Sequence, residues 1–62
     1  MKDALIWNQG GIKNVIFSKN ILSIVEDSHN ENCCVISVDY NEDPIEVSLP
    51  VEEVLKRLDV NV

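Results

Sequence analysis

Basic residues are missing from the middle of this 62-residue sequence: between Lys19 and Lys56 there is no lysine or arginine. The same stretch contains nine acids, namely Glu26, Asp27, Glu31, Asp39, Glu42, Asp43, Glu46, Glu52 and Glu53. Nucleic acid is bound largely by lysine and arginine, which neutralise phosphates, so we expect this surface to repel DNA and RNA. Acidic surfaces mostly keep a protein soluble, but this one also suits a partner with a basic surface, including a protein that normally binds nucleic acid.

Cysteine and histidine are too scarce for a disulfide framework or a zinc cluster. Cys33 and Cys34 are adjacent, a spacing that does not let both thiolates reach one metal ion, and His29 has no evident partner to orient it. We expect Cys34 in the core and Cys33 at an interface or the surface. The sequence therefore predicts no catalytic residue, metal or cofactor, and unpaired thiols favour a reducing cytoplasm.

Glycine and proline are equally few, with two of each. Gly10 and Gly11 are not followed by the residues that a phosphate-binding loop needs. The spacing of Asp39, Asn41 and Asp43 matches the start of a calcium-binding loop, but prolines occupy the positions where that loop needs glycine and glutamate. These short patterns therefore predict turns rather than binding loops.

Long apolar runs are also absent. The sequence contains no 18-residue apolar segment, so it predicts no membrane-spanning helix. The N-terminus does not fit a signal peptide, because it has an acid at Asp3 and only a short apolar run after it. Yet 45% of the residues are hydrophobic, and a chain this short has only a marginal core of its own. We therefore expect one small domain, residues 1–62, that buries the remaining apolar surface against a second copy as a homodimer.

Aromatic residues number only three, Trp7, Phe17 and Tyr40, and all lie among aliphatic residues. A platform on which RNA bases stack would place such rings among lysines and arginines. We expect all three in the core, or Trp7 at a subunit interface.

The pattern of the first two-thirds of the chain predicts four short strands. Ala4–Trp7 and Ile12–Phe17 flank Gly10-Gly11 and predict a hairpin. Ile21–Glu26 has large aliphatic residues on both faces, so it is either a strand covered on both sides or the start of a helix. Asp27–Asn32 is predicted as an exposed loop. Cys33–Tyr40 is predicted as a strand with one apolar face: Cys34, Ile36, Val38 and Tyr40.

The remaining third changes its period. Asn41–Pro44 is predicted as a turn, and Ile45, Val47 and Leu49 then alternate with polar residues as in a half-buried strand. From Val51 the spacing predicts a short amphipathic helix with the apolar stripe Val51, Val54, Leu55 and Leu58. We expect Ser48 to cap this helix and the pairs Glu52–Lys56 and Glu53–Arg57 to contribute about 0.3 kcal/mol each. The tail, Asp59–Val62, is expected to fray.

The segment Pro44–Leu58 (PIEVSLPVEEVLKRL) resembles the C-terminal half of the carbon storage regulator family (CsrA/RsmA). Gly11–Ile24 resembles that family's glycine turn and the two strands after it, and Val35–Val38 its fourth strand. The C-terminal positions that match are Pro44, Glu46, Val47, Glu52, Glu53 and Arg57. This resemblance implies a small dimer with interleaved strands that binds RNA and controls translation.

The arginines with which that family contacts RNA have no counterpart here. Gln9 stands near the first-strand arginine, and Pro50 and Val51 occupy the positions of a His-Arg pair. A second resemblance, to small FlbD/SwrD-like flagellar proteins, rests on the strand Asn20–Glu26 and the helix Val51–Leu58. It implies only that chains with this architecture occur in bacterial regulation.

Taken together, the sequence predicts a mostly β protein: four to five antiparallel strands in a meander, one C-terminal helix, and an intertwined homodimer. It is expected to be a regulatory binding protein, not an enzyme. One hypothesis is a divergent carbon storage regulator that contacts RNA through Lys2, Lys13 and Lys19. The other is an acidic inhibitor, for example one encoded by a phage, that blocks a basic site on a partner protein. Its predicted partner-binding residues are Asp39, Glu42, Asp43 and Glu46.

Overall fold

A computed structural model of the protein describes residues 1–60. The protein is mostly β with one C-terminal helix, as predicted, and its five antiparallel strands form two sheets. The strands are β1 (Ala4–Gln9), β2 (Ile12–Phe17), β3 (Ile21–Asp27), β4 (Asn30–Val38) and β5 (Asn41–Val47), and a 3-10 turn (Ser18–Asn20) joins β2 to β3. The helix, α1, spans Val51–Arg57. Within residues 1–60, no helix has the length and apolar character needed to cross a membrane.

Strands β1 and β2 form the predicted hairpin. Gly10 and Gly11 make its two-residue turn with φ values of 60° and 78°, a conformation that residues with a Cβ adopt only at a cost. The register places Leu5 opposite Ile16, and both side chains are buried. Because successive residues of a strand point to opposite faces, the next pair along, Ile6 and Val15, points away from the core.

Strand β4 is the centre of the second sheet, whose order is β3-β4-β5. Cys34, Ile36 and Val38 are buried on one face of β4, as the alternation predicts. The predicted loop at Asp27–Asn32 is wrong in extent, because only Ser28 and His29 form the turn. The Asp27 carboxylate accepts a hydrogen bond of 2.8 Å from the His29 backbone N–H and closes that turn, so the polar residues around it join the strands.

The turn after β4 also differs from the prediction. It consists of Asp39 and Tyr40, and the segment Asn41–Pro44, predicted as a turn, is instead the first part of β5. A two-residue connection suits an antiparallel pair, whereas composition alone cannot locate the reversal within a run of polar residues.

Strand β3 confirms the strand interpretation of the apolar run and excludes its helical alternative. The prediction that this strand is covered on both sides is wrong within the chain. Ile21 and Ile24 pack against the core, but Leu22 and Val25 are 68% and 58% exposed. The reason is that no second layer of residues 1–60 packs on the outer face of this sheet.

The core lies between the two sheets and the helix. Its buried residues come from four strands and from the C-terminal segment: Leu5, Trp7, Ile16, Cys34, Ile36, Val38, Val47, Val54 and Leu58. No polar or charged side chain within residues 1–60 is buried. All five strands pair within the same chain, so a second copy is not needed to complete either ladder.

Helix α1 begins at Val51 as predicted, but Ser48 does not cap it. The residue before the helix is Pro50, and no side chain caps the first turn. Ser48 lies two residues too early to reach the free N–H groups, and its own backbone N–H donates to the Gln9 side chain over 3.0 Å. Of the two predicted ion pairs, only Glu53–Arg57 forms within the described residues, at 3.1 Å.

The end of the helix is better ordered than the predicted fraying implies. Asp59 adopts a φ of 59°, and the Val60 backbone N–H donates to the Leu55 carbonyl over 3.0 Å. Val60 also packs against the core. Residues 61 and 62, which belong to the same predicted tail, lie outside the described residues.

Gln9 links the two sheets through one side-chain oxygen. Its Oε1 accepts hydrogen bonds from the Trp7 indole N–H at 2.9 Å and from the Ser48 backbone N–H at 3.0 Å. Gln9→Ala removes both bonds, and we expect a loss of about 1–2 kcal/mol in the free energy of unfolding. Urea denaturation followed by Trp7 fluorescence measures this loss. Asn8→Ala on the same strand is the control, and an equal loss there would contradict a specific role for Gln9.

Candidate functional site

The predicted partner-binding residues lie at the turn after β4 and along β5. We call Asp39, Glu42, Asp43 and Glu46 the acidic edge. All four side chains are exposed, and β5 is an outer strand of its sheet. The structure therefore places three of the carboxylates on one outer strand and the fourth, Asp39, in the turn that leads into it.

A local irregularity in β5 presents two of these acids to solvent. Ile45 lies opposite Ile36 and Asn41 opposite Val38, so three residues of β5, Glu42 to Pro44, face Ser37 alone. Pro44 has no N–H to donate to a ladder, and such a residue is tolerated on an outer strand or in a bulge. The extra residues push this part of β5 out of regular pairing, and the Glu42 and Asp43 carboxylates remain in water.

Asp39 is held by the turn that precedes β3, and Glu46 has a regular position on β5. The Asn20 side-chain amide donates to the Asp39 carboxylate over 3.1 Å, and the Asp39 backbone N–H donates to the Asn20 carbonyl over 3.0 Å. Glu46 lies opposite Val35 on the outer face of the sheet. Beside Asp39 is a surface depression of about 550 Å³ lined by Leu22, Ser37, Val38, Asp39, Tyr40, Asn41 and Glu42.

No cation neutralises the acidic edge within the described chain, where Glu53–Arg57 is the only ion pair. Its carboxylates are solvated, and Leu22 and Tyr40 give the adjoining depression an apolar wall. Carboxylates around an apolar patch suit a surface with lysine or arginine side chains, whose aliphatic stems pack on the patch while their charged ends meet the acids.

The candidate nucleophiles and metal ligands do not converge. His29 is exposed in the turn between β3 and β4, and Cys33 is partly buried on β4. Burial raises the pKa of the Cys34 thiol, and the neighbouring Cys33 raises it further, so Cys34 is protonated and packed like an aliphatic residue. Within residues 1–60, no group of three histidine, cysteine or acidic side chains is placed to hold a metal ion.

The aromatic residues are only partly where the sequence predicted. Trp7 is in the core, which confirms that prediction. The same prediction is wrong for Phe17 and Tyr40, which are 56% and 60% exposed. Phe17 lies opposite Ala4 on the outer face of the hairpin, and Tyr40 lies in the turn where the chain reverses, so neither ring faces the other sheet.

The outer face of the hairpin is a surface that the sequence interpretation missed. Ile6, Val15 and Phe17 are exposed there, and the Arg57 guanidinium donates to the Ile6 carbonyl over 2.9 Å. A depression of about 560 Å³ beside them is lined by Lys2, Asp3, Ala4, Ile6 and Arg57. Alternation in Ala4–Trp7 was the available signal: with Leu5 and Trp7 inside, Ile6 must point outward.

Comparisons with known proteins found no relative. No family model, no curated protein and no solved structure matches the chain. The function is therefore inferred from the described residues and their chemistry.

Proposed function

We propose that this protein is a non-catalytic regulatory binding protein that docks on the basic surface of a partner protein through the acidic edge. The observation that carries this proposal is the exposure of Asp39, Glu42, Asp43 and Glu46 in the turn before β5 and on β5, with no cation of the described chain paired to them. Charge complementarity of this kind speeds encounter and selects partners.

The partner class follows from the same chemistry. A protein surface rich in lysine and arginine is often one that binds nucleic acid, and a row of carboxylates competes with phosphates for it. We therefore propose that the protein acts as an inhibitor that covers such a basic site. Its two free cysteines fit a reducing cytoplasm as the place of action, and its short, apolar-rich chain fits a homodimer.

Reversing charge on the acidic edge is expected to weaken this docking strongly. In Glu42→Lys/Glu46→Lys, two carboxylates become cations, and we expect partner affinity to fall at least about tenfold because like charges then face each other. The measurement is a quantitative pull-down from the native cell with the wild type as bait, followed by titration of the purified basic partner at two salt concentrations.

The matched control is Asp3→Lys/Glu52→Lys, which changes the net charge equally at two exposed acids that do not belong to the acidic edge. We expect this variant to retain the partner. Equal losses in the two variants would show that only net charge matters, and unchanged binding in both would reject the acidic edge as the docking site.

A second candidate is an RNA-binding post-transcriptional regulator, the activity that resemblance to the carbon storage regulators implies. One observation favours it: Phe17 is exposed close in sequence to Lys19 and lies opposite Ala4, two residues after Lys2. An exposed ring near lysines is the arrangement on which a base stacks. An RNA gel shift that weakens with salt and disappears in Phe17→Ala would favour this candidate over the acidic inhibitor.

A further inference from the structure

The outer edge of β3 has backbone groups without a partner. β3 is the first strand of its sheet, and no backbone hydrogen bond within residues 1–60 joins its outer side to another strand. Leu22 and Val25 are exposed on this strand, and the core-facing Ile21 and Ile24 are only partly buried. An edge of this kind is a template for pairing with another chain.

The opposite edge of the same sheet, β5, is protected against pairing with another chain, whereas the β3 edge is not. β5 carries Pro44 and the acids Glu42, Asp43 and Glu46, and prolines and charges are the features that prevent edge pairing. Residues Ile21–Val25 contain neither. The register of β3 on β4 is irregular next to Leu22 and before Asp27, but Ser23 to Glu26 pairs regularly, so a four-residue stretch has strand geometry suited to further pairing.

We propose that β3 pairs antiparallel with β3 of a second copy, centred on Ile24, and joins the two sheets into one of six strands. In this register Ser23 of each copy lies opposite Val25 of the other. The core-facing residues of both copies must lie on the same face of the joined sheet. A shift of one residue would move the core-facing residues of one copy to the other face, so only some registers are compatible with both cores. A register centred on Ile24 meets this condition.

The charges flanking β3 are complementary to those of a second copy in this orientation. Lys19 is exposed just before the strand, whereas Glu26 and Asp27 end it. In the register centred on Ile24, Asp27 of one copy lies opposite Ile21 of the other, so Lys19 of each copy is two residues along from the position opposite Asp27, within reach of a lysine side chain across neighbouring strands about 4.8 Å apart. Parallel pairing would instead place lysine beside lysine and acid beside acid.

Burial gives the driving force. Pairing covers the partly buried Ile21 and Ile24 from the side and brings Val25 on the outer face against the second copy. This inference specifies the interface of the homodimer in the proposed function, but it does not depend on Glu42, Asp43 and Glu46, which lie on β5 at the opposite edge of the sheet.

A lysine within the proposed interface tests the idea directly. We expect the wild type to sediment as a dimer at about 100 μM, where a complex with a Kd of about 10 μM is mostly formed. Val25→Lys places a charge on the pairing edge and is expected to raise the Kd of the dimer at least about tenfold. Ile12→Lys is the matched control, because Ile12 is equally apolar and 67% exposed but lies on the hairpin.

Charge exchange gives an independent test that needs no core substitution. In a homodimer of Lys19→Glu, the new glutamate would lie near the acidic end of β3 in the other copy. The two like charges repel each other, so this variant is expected to be monomeric. Glu26→Lys/Asp27→Asn retains a side-chain oxygen for the turn at His29, and is also expected to be monomeric. Mixing the two variants should restore a dimer, because each then brings the opposite charge to the other.

A monomeric wild type at about 100 μM, equal weakening by Val25→Lys and Ile12→Lys, or no dimer on mixing the charge variants would each overturn the β3 interface. Circular dichroism confirms that every variant is folded. Glu42→Lys/Glu46→Lys is expected to remain dimeric, so loss of partner binding and loss of the dimer are separately observable.

Discussion

Ile36→Ala is expected to unfold most of the protein at 37 °C. Ile36 lies on the central strand of the larger sheet and has no exposed surface. Removing its outer carbons leaves a cavity between the two sheets, and such a substitution costs about 2–5 kcal/mol. A chain below about 70 residues rarely has more than about 3–5 kcal/mol of stability from a single core, so the loss is comparable with the total.

Thermal and urea denaturation followed by circular dichroism measure this effect. The control is Ile12→Ala, which shortens a side chain that is 67% exposed on the hairpin and should change stability by no more than about 0.5 kcal/mol. A variant at Ile36 that melts close to the wild-type temperature would show that the core between the sheets is not what holds the fold.

Cys33 and Cys34 are expected to react at very different rates with a thiol reagent. Cys33 is partly exposed on the outer side of β4, whereas Cys34 has no exposed surface. Cys34 reacts only when the structure opens, and if that requires about 3–5 kcal/mol its labelling is at least about 100-fold slower. Mass spectrometry of Cys33→Ser and Cys34→Ala after timed labelling separates the two thiols. Equal rates would contradict the position of Cys34 in the core.

The buried Cys34 thiol is also expected to make the free energy of unfolding depend on pH in the alkaline range. Burial raises the pKa of Cys34 in the folded protein, so the folded state retains a proton that the unfolded state releases. Cys34 therefore leaves stability unchanged below its unfolded pKa and lowers it as the pH rises above that value of 9.0, until the folded pKa is reached. Urea denaturation should show a smaller decline in Cys34→Ala than in the wild type over this range.

The elements with a clear period were predictable. The helix from Val51 and the buried face of β4 follow from repeats of 3.6 and two residues, and Gly10-Gly11 located the hairpin turn. Polar segments are not predictable in the same way. Composition predicts a loop at Asp27–Asn32 and a turn at Asn41–Pro44, but neighbouring strands extend through much of both segments because exposed side chains cost little there.

The acidic edge was partly predictable as well. The sequence shows where acids occur without a nearby lysine or arginine, and exposure of Asp39, Glu42, Asp43 and Glu46 follows from their charge. It does not show that Glu42 and Asp43 lie in an irregular part of β5, nor that Asn20 holds Asp39. Those features depend on which strands are neighbours, and strand pairing is a property of the whole sheet.

The sequence by itself determined the number and type of elements and the residues that alternate between two faces, because these follow from local periodicity. Only the tertiary structure decided which faces are covered: Ile36 lies beneath a second layer, whereas Leu22, Val25 and Phe17, equally apolar, do not. The physical reason is that hydrophobic burial is non-directional. An apolar side chain is more stable when it is buried, but its sequence position does not say which residues bury it. The packing of distant segments decides whether residues of the same chain do so.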